Sequence, residues 1–373
     1  MDASGREGHH YRSRGNGCPW PFKLSPIHHE LLSSYLVRSA HAHGLSPHRF
    51  ASFYLPRESV WKRDIDLHAN TSLISEVAFK ASLETELVWA MTLSDLVPGH
   101  RVDGSIRNSG AHWCTCLGAQ LRSHTRYGLQ YCPDCLDSCP AFLRSWRLSF
   151  VFACVKHKRI LEDRCGRCQA PVLLHRSRFA GTLCHQCGAP LGGAPPSHPD
   201  LSIDTALGVQ GRLLALQAQQ EICLAGEMIK RDEFFKGLMM LLKMVREKMH
   251  SHPQDFGRDS AIVLNNHDPL GSSSVAVRLV LCAKLLELVD TWPRQFLRTA
   301  ASLGMSQAGF LHLGRPPQWL STVLLRLPEK VRPRYAYRRS TLLNHVRQIE
   351  AAGGSQCRAR RASALMLAAR KWA

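Results

Sequence analysis

Tyr131-Cys132-Pro133-Asp134-Cys135-Leu136, Cys154-Val155-Lys156-His157, Cys165-Gly166-Arg167-Cys168 and Cys184-His185-Gln186-Cys187 decide how this chain is read. Each segment holds a pair of metal-ligand residue types with two residues between its members, so one tight turn can aim both side chains at a single ion. Two such pairs complete a tetrahedron, and the four pairs predict two zinc sites. Eighteen residues separate the first two pairs and fifteen the last two, enough for a short hairpin or loop in each interval. Four protein ligands leave no open coordination position, which points to structural rather than catalytic ions. His112, Cys114, Cys116 and Cys139 lie near enough to compete as ligands. The plainer expectation for those cysteines, and for Cys18, Cys223, Cys282 and Cys357, is that of small buried hydrophobes.

Read as disulfides, the same cysteines would describe a secreted, stapled module. The chain opens without a charged-then-apolar signal segment, and no apolar run approaches the roughly eighteen residues of a membrane span. The 14 cysteines, seven of them in metal-type pairs, therefore predict a reducing cytoplasm. A length of 373 residues exceeds one ordinary core and predicts two or three domains, and 45% apolar residues can fill them. The formal net charge of +19, from 48 Lys and Arg against 29 Asp and Glu, predicts a polyanionic partner, with nucleic acid the default. Anionic lipid is the alternative, but there is no lipidation motif and no cation cluster beside an apolar helix.

Outward from the cysteine pairs the pattern is helical. The expected fold class is mainly α, divided into a disordered tail (1–22), an N-terminal helical domain (23–110), tandem zinc ribbons (111–195) and a C-terminal helical domain with a basic tail (200–373). Ser25 and Pro26 read as the start of a first helix that Gly44 closes, and Ser46 and Pro47 as the start of a second that stops before Pro56. A linker is expected around Gly192, Gly193, Pro195, Pro196 and Pro199, with everything beyond it helical. Within that half, 232–249 is an amphipathic helix whose Met-rich face reads as core, 255–274 a loop, and 275–289 a further helix.

Two bihelical patterns fit the helix-turn-helix template. In 73–93, Ala78 is small where the helices cross, Ser82 stands in the turn, and Leu83, Val88 and Met91 face inward; a helical hairpin packed only for stability would look much the same. In 297–313, Gly304 stands in the turn, and Gln307, His312 and Arg315 are expected to point outward, where Gln and Arg can read base edges. From residue 326 onward twelve Lys and Arg oppose two Glu, and Arg334, Arg338 and Arg339 interleave with Tyr335 and Tyr337 in a way that suits phosphate contact and stacking. A charged tail without a partner is the plain alternative.

The chain has no glycine-rich nucleotide loop and no paired carboxylates beside a nucleophile. Zinc-dependent base deamination is the serious enzymatic rival, but proline follows Cys132 instead of preceding it, and His28-His29-Glu30 is about a hundred residues away. The expectation is a protein without catalysis.

These residues together resemble the TniQ family of transposon target-selection proteins, which includes the TnsD group. The likeness begins at Pro26 with Glu30, Leu32, Ser33, Ser34, Tyr35 and Arg38. It is sharpest from Tyr131 to Leu191 through Trp146-Arg147, Leu161, Gly188 and the four pairs. It implies one ion on Cys132, Cys135, Cys154 and His157 and a second on Cys165, Cys168, Cys184 and Cys187. Val155 and Gly166 stand where some members have proline, a change in turn stiffness more than in metal binding. The resemblance implies an adaptor that recognises a target, as DNA bound directly or as DNA opened by an RNA-guided Cascade complex. Such an adaptor recruits an AAA+ ATPase regulator and, through it, the transposase. Relatives acting with Cascade are dimers, which implies a homodimer. A zinc-ribbon, helix-turn-helix transcriptional regulator is the competing expectation.

Overall fold

The computed structural model describes residues 18–97, 113–118, 127–178, 180–198, 200–264 and 269–329. The expectations placed on residues 1–17, on His112 and Cys357, and on Arg334, Arg338 and Arg339 lie outside these residues. The described chain is mainly helical, with two short antiparallel hairpins.

The N-terminal segment packs α1 (Leu32–Ala42), α2 (Pro47–Tyr54), α3 (Ile65–His68), α4 (Thr71–Ala81) and α5 (Thr85–Ala90). Helix α1 begins at Leu32, six residues after Pro26, where the Ser-Pro signal had put it. Long-range pairing explains the difference. Glu30 forms a bridge with Leu143, and the Leu31 N–H donates to Phe142 O at 2.9 Å, so this stretch is extended. The buried Glu30 carboxylate accepts from Ile27 N–H (3.1 Å), Ser34 Oγ (2.9 Å) and Arg38 Nε (2.9 Å). Helix α1 ends as expected at Gly44, whose φ of +66° suits glycine. Helix α2 also starts as expected, with Ser46 Oγ accepting from Arg49 N–H and Pro47 in the first turn. Trp20, ahead of the expected start of order, is already buried, its N–H donating to Lys80 O at 2.7 Å.

Helices α4 and α5 meet through a turn at residues 82–84, with Ser82 in the left-handed region (φ +56°, ψ +47°). Val77, Ala78, Ala81, Val88 and Met91 are buried there, and Leu83 packs against the same core. The second bihelical pair is α11 (Arg294–Ser302) and α12 (Gln307–His312), with Gly304 at φ +56° in the turn and Ala300, Leu303, Met305 and Phe310 buried.

Beyond the expected linker, α7 (Ile203–Ala218), α8 (Arg231–Ser251), α9 (Arg258–Leu264), α10 (Val275–Val289) and α13 (Gln318–Leu324) complete the C-terminal part. Two expectations are corrected here, and one detail is added. The linker is fastened: Ala194 O accepts from Arg159, and Ser197 N–H donates to Glu162 Oε1 at 3.0 Å. The segment is also not all helix, because Glu221–Leu224 and Glu227–Lys230 pair as a hairpin across Ala225 and Gly226. Both turn residues have positive φ, +52° and +87°, as this tight turn demands. The expected loop at 255–274 contains α9, held because Val263 is fully buried and Asp259 pairs with Lys284 on α10 at 3.2 Å. Helix α10 itself spans the residues its sequence predicts, capped by Ser274 Oγ. One continuous core runs from Trp20 and Phe50 through Tyr131 and Phe142 to Phe235 and Leu281.

Candidate metal centres

Three of the four ligand pairs are turns of one design. The residue after the second member takes a left-handed conformation each time: Lys158 (φ +48°), Gln169 (+58°) and Gly188 (+71°). In the pairs 165/168 and 184/187 the first cysteine also donates its N–H to the carbonyl five residues on, closing the loop: Cys165 to Ala170 at 2.9 Å and Cys184 to Ala189 at 2.8 Å. Cys154 ends the first strand and His157 stands in the turn of the hairpin formed by Ala153–Cys154 and Arg159–Ile160. The remaining pair differs from the tight turn its spacing suggests. Cys132 caps and Cys135 belongs to α6 (Pro133–Ser138), where a separation of three puts both sulfurs on one face of the first turn.

The four pairs close into two clusters, Cys132, Cys135, Cys154 and His157, and Cys165, Cys168, Cys184 and Cys187, each with its ligand atoms within 4.8 Å of one another. The first has Cys135 Sγ to Cys154 Sγ at 3.7 Å and His157 Nδ1 at 3.2 to 3.6 Å from all three sulfurs. The second has Cys165 to Cys187 at 3.7 Å and Cys168 to Cys184 at 3.6 Å. A tetrahedron with metal–sulfur bonds of about 2.3 Å has edges of about 3.8 Å. A disulfide would need about 2.05 Å. The donor sets therefore fit one four-coordinate ion each. Within the first cluster the Cys154 thiol is held down to about 4, first by the hydrogen bond from Cys132, while that same bond and burial push the Cys132 thiol up and burial raises Cys135. Of the competing cysteines, Cys114 is buried and its thiol is pushed up to about 12 by that burial, and Cys116 is pushed up for the same reason. Neither they nor Cys139 join a cluster among the described residues.

The clusters are wired to the helices on both sides by two buried arginines, of which the sequence marked only Arg147, and that only through the family resemblance. Arg147 is fully buried and donates to Asp66 at 2.7 Å, to Asp64, and to Thr115 O at 3.0 Å. Asp66 in turn accepts from Ser33 N–H and Ser33 Oγ, both at 2.8 Å, which ties the metal region to α1. Burial pushes the Asp66 carboxyl up to about 6 against the pull of Arg147. Burial also opposes the Arg147 charge, but the two aspartates more than offset it and hold its pKa above the usual value. On the other side Arg278 of α10, fully buried, donates to Ser149 O (2.7 Å), Gln130 Oε1 (2.7 Å) and Ser273 O (3.1 Å). Asp163 accepts from Val275 N–H at the start of α10 (2.7 Å), and Gln210 of α7 accepts from Phe152 and Ala153. Tyr131 and Glu162 exchange backbone hydrogen bonds of 2.8 Å and join the two clusters to each other.

Among the expected DNA-reading residues, His312 and Arg315 are exposed. Gln307 is not directed outward. Its amide donates to Leu327 O at 2.8 Å and its backbone N–H to Pro328 O, both in the stretch that follows α13.

A helical segment thus runs into a pair of clusters, each of four side chains that could hold a metal ion. Residues 21–161 match the TniQ family model, a stretch that holds the first cluster complete and stops ahead of the second. The family is associated with target-site selection in transposition. No curated protein matches the chain. No helix among the described residues is long and apolar enough to cross a membrane.

Proposed function

We propose that this chain is a non-catalytic adaptor that selects target sites in DNA transposition. It links target DNA, bound directly or presented by an RNA-guided Cascade complex, to an AAA+ transposition regulator and its transposase. In this reading Cys132, Cys135, Cys154 and His157 hold one zinc ion and Cys165, Cys168, Cys184 and Cys187 another, both structural. Residues 23–110, 111–195 and 200–373 act as three parts, and the α11–α12 pair reaches DNA with His312 and Arg315. The observation that carries the reading is the buried wiring of Arg147 and Arg278, which braces helices on both sides of the clusters. An adaptor needs such stiffness, since two partners are brought to a fixed separation only by a body that does not bend between them. Small metal-bound segments, which have too little core to fold alone, achieve this through the ion.

The test is transposition in cells supplied with a candidate AAA+ ATPase and transposase, with insertion sites mapped with and without this chain. Loss of a preferred site on deletion is expected, and an unchanged site distribution would sink the proposal. In parallel, Arg315→Ala should weaken binding of the purified protein to a preferred duplex more than to a scrambled one. Equal loss on both assigns Arg315 to phosphate contact alone.

A further inference from the structure

The N-terminal segment carries a surface that neither the metal clusters nor the α11–α12 pair uses. Phe22, Phe53 and Phe79 are 57%, 40% and 59% exposed; Phe22 and Phe53 border one group of rings, and Phe79 precedes Lys80, whose carbonyl is bonded to that group's Trp20. Phe22 lies edge-on to His43 with ring centroids 5.2 Å apart, His43 reaches Tyr54 at 5.2 Å, and Tyr54 reaches Phe53 at 4.8 Å. Trp20 packs beneath them, 4.9 Å from Phe50, and its N–H bonds the carbonyl of Lys80, the residue after Phe79. The rings thus gather where the start of the described chain meets α2, and the Trp20–Lys80 bond ties this point to α4.

Exposed cations neighbour these rings along the chain. Lys23 adjoins Phe22, Arg49 lies one helical turn before Phe53 on α2, and Arg57 follows α2; all three are exposed. The nearby carboxylates are partly neutralised, Glu58 facing Arg63 at 3.9 Å and Glu76 facing Lys80 at 3.9 Å. Exposed apolar rings alone would suit a protein partner. Rings alternating with exposed cations, on a chain of net charge +19, suit a polyanion with flat apolar faces. That description fits unpaired bases on a phosphate backbone, because stacking needs a free base face that a duplex does not offer.

We propose that this face binds single-stranded nucleic acid, with Phe22, Phe53 and Phe79 stacking on unpaired bases and Lys23, Arg49 and Arg57 following the phosphates. The site is separate from the duplex reading assigned to His312 and Arg315, so the two stand or fall independently.

The test is fluorescence anisotropy of the full chain, zinc-loaded, with a labelled mixed-sequence single strand and with the same sequence as duplex. Phe53→Ala and Phe79→Ala should each weaken single-strand binding roughly tenfold, the scale of one stacked base, and leave duplex binding unchanged. Phe79→Trp should restore it. Because these rings are exposed, their truncation removes little core packing, and unchanged zinc content and far-ultraviolet spectrum verify the fold. Single-strand binding equal to that of the parent protein overturns the proposal. So does an equal loss on both DNA forms, which would reduce the face to unspecific charge. A shift in sedimentation from dimer to monomer with single-strand binding unchanged also overturns it and gives the face to a second copy of the chain.

Discussion

Acid should loosen the seam between the N-terminal helices and the second cluster, and His175 sets the amount. This residue lies in the short turn Leu174–Arg176, which packs against α1 and α2, and His41 Nε2 meets Ser177 Oγ there at 2.8 Å. His175 is 1% exposed and is stacked on Trp61 with centroids 5.9 Å apart. Neither of its ring nitrogens has a hydrogen-bond partner among the described residues. Burial, and then the neighbouring His48, Arg176 and His185, push its pKa down to about 4. Unfolded, the ring titrates at its ordinary value near 6.5. The unfolded chain therefore binds the proton more readily. This contribution to stability is fully present above pH 6.5 and is lost as pH falls toward 4.

Two titrations at 6.5 and 4 give a loss of about 1.3 kcal/mol between about pH 7.5 and 5.5, growing to about 3 kcal/mol below pH 4. Asp66 works the other way, since its raised carboxyl contributes stability that is lost as pH rises through about 6. Metal release adds a further acid dependence. Both are cancelled by comparing the parent protein with His175→Gln, which cannot titrate. Urea unfolding of the two zinc-loaded proteins at about pH 7.5, 6.5 and 5.5 reads the difference in slope. The parent should lose about 1.3 kcal/mol relative to the variant across this range. Parallel stability profiles would refute the assignment of a neutral, buried ring.

Other consequences can be measured directly. Zinc content by mass spectrometry should be about two ions per chain, and replacing Cys184 and Cys187 with Ser should lower it to about one. Arg147→Met should cost about 3 to 5 kcal/mol in chemical unfolding by leaving Asp66 buried without its partner; Asp66→Asn added to it should recover part of that loss, and simple addition of the two costs would show that no pairing existed. At Gly128 an added Cβ would sit 2.3 Å from Val172 O, a backbone atom. Gly128→Ala should therefore lower the unfolding midpoint, with a cost of about 1 to 3 kcal/mol, and an unchanged midpoint would show that the Gly128–Val172 approach is loose.

Much of the site was legible because its logic is local. A spacing of two residues places both ligands of a pair on one turn whatever the rest of the chain does, and the structure gathers those eight residues. Helix α10 and the start of α2 were legible for the same reason, since Ser274 and Ser46 cap within three residues of themselves. The misreadings have distant or unusual causes. Ser25 and Pro26 form a helix-start signal, but the segment after them pairs with residues 142 and 143. The hairpin at 221–230 turns through Ala225, a residue type that seldom accepts positive φ and so gives no warning. Gln307 has the residue type of a base reader, but the stretch after α13 folds back beside it and takes its amide. Arg147 gave no local signal because its acidic partners lie more than eighty residues earlier.

The choice of buried charge for that wiring bears on what the wiring does. A buried ion pair seldom stabilises more than a well-packed apolar substitute, because taking both charges out of water costs as much as their attraction returns. Stability alone therefore does not explain Arg147 between Asp64 and Asp66. A hydrophobic contact in its place would tolerate sliding, whereas a guanidinium held by two carboxylates and the Thr115 carbonyl has few satisfied orientations. The same holds for Arg278, whose three acceptors are two main-chain carbonyls and the amide oxygen of Gln130. Gln130 donates onward to three carbonyls at residues 146, 148 and 151, so a displaced α10 would leave buried donors and acceptors unmet. The polar wiring thus penalises misalignment of the helices on either side more than separation. An apolar triple replacement at Arg147, Asp64 and Asp66 should accordingly keep the fold and relax the angle between its parts.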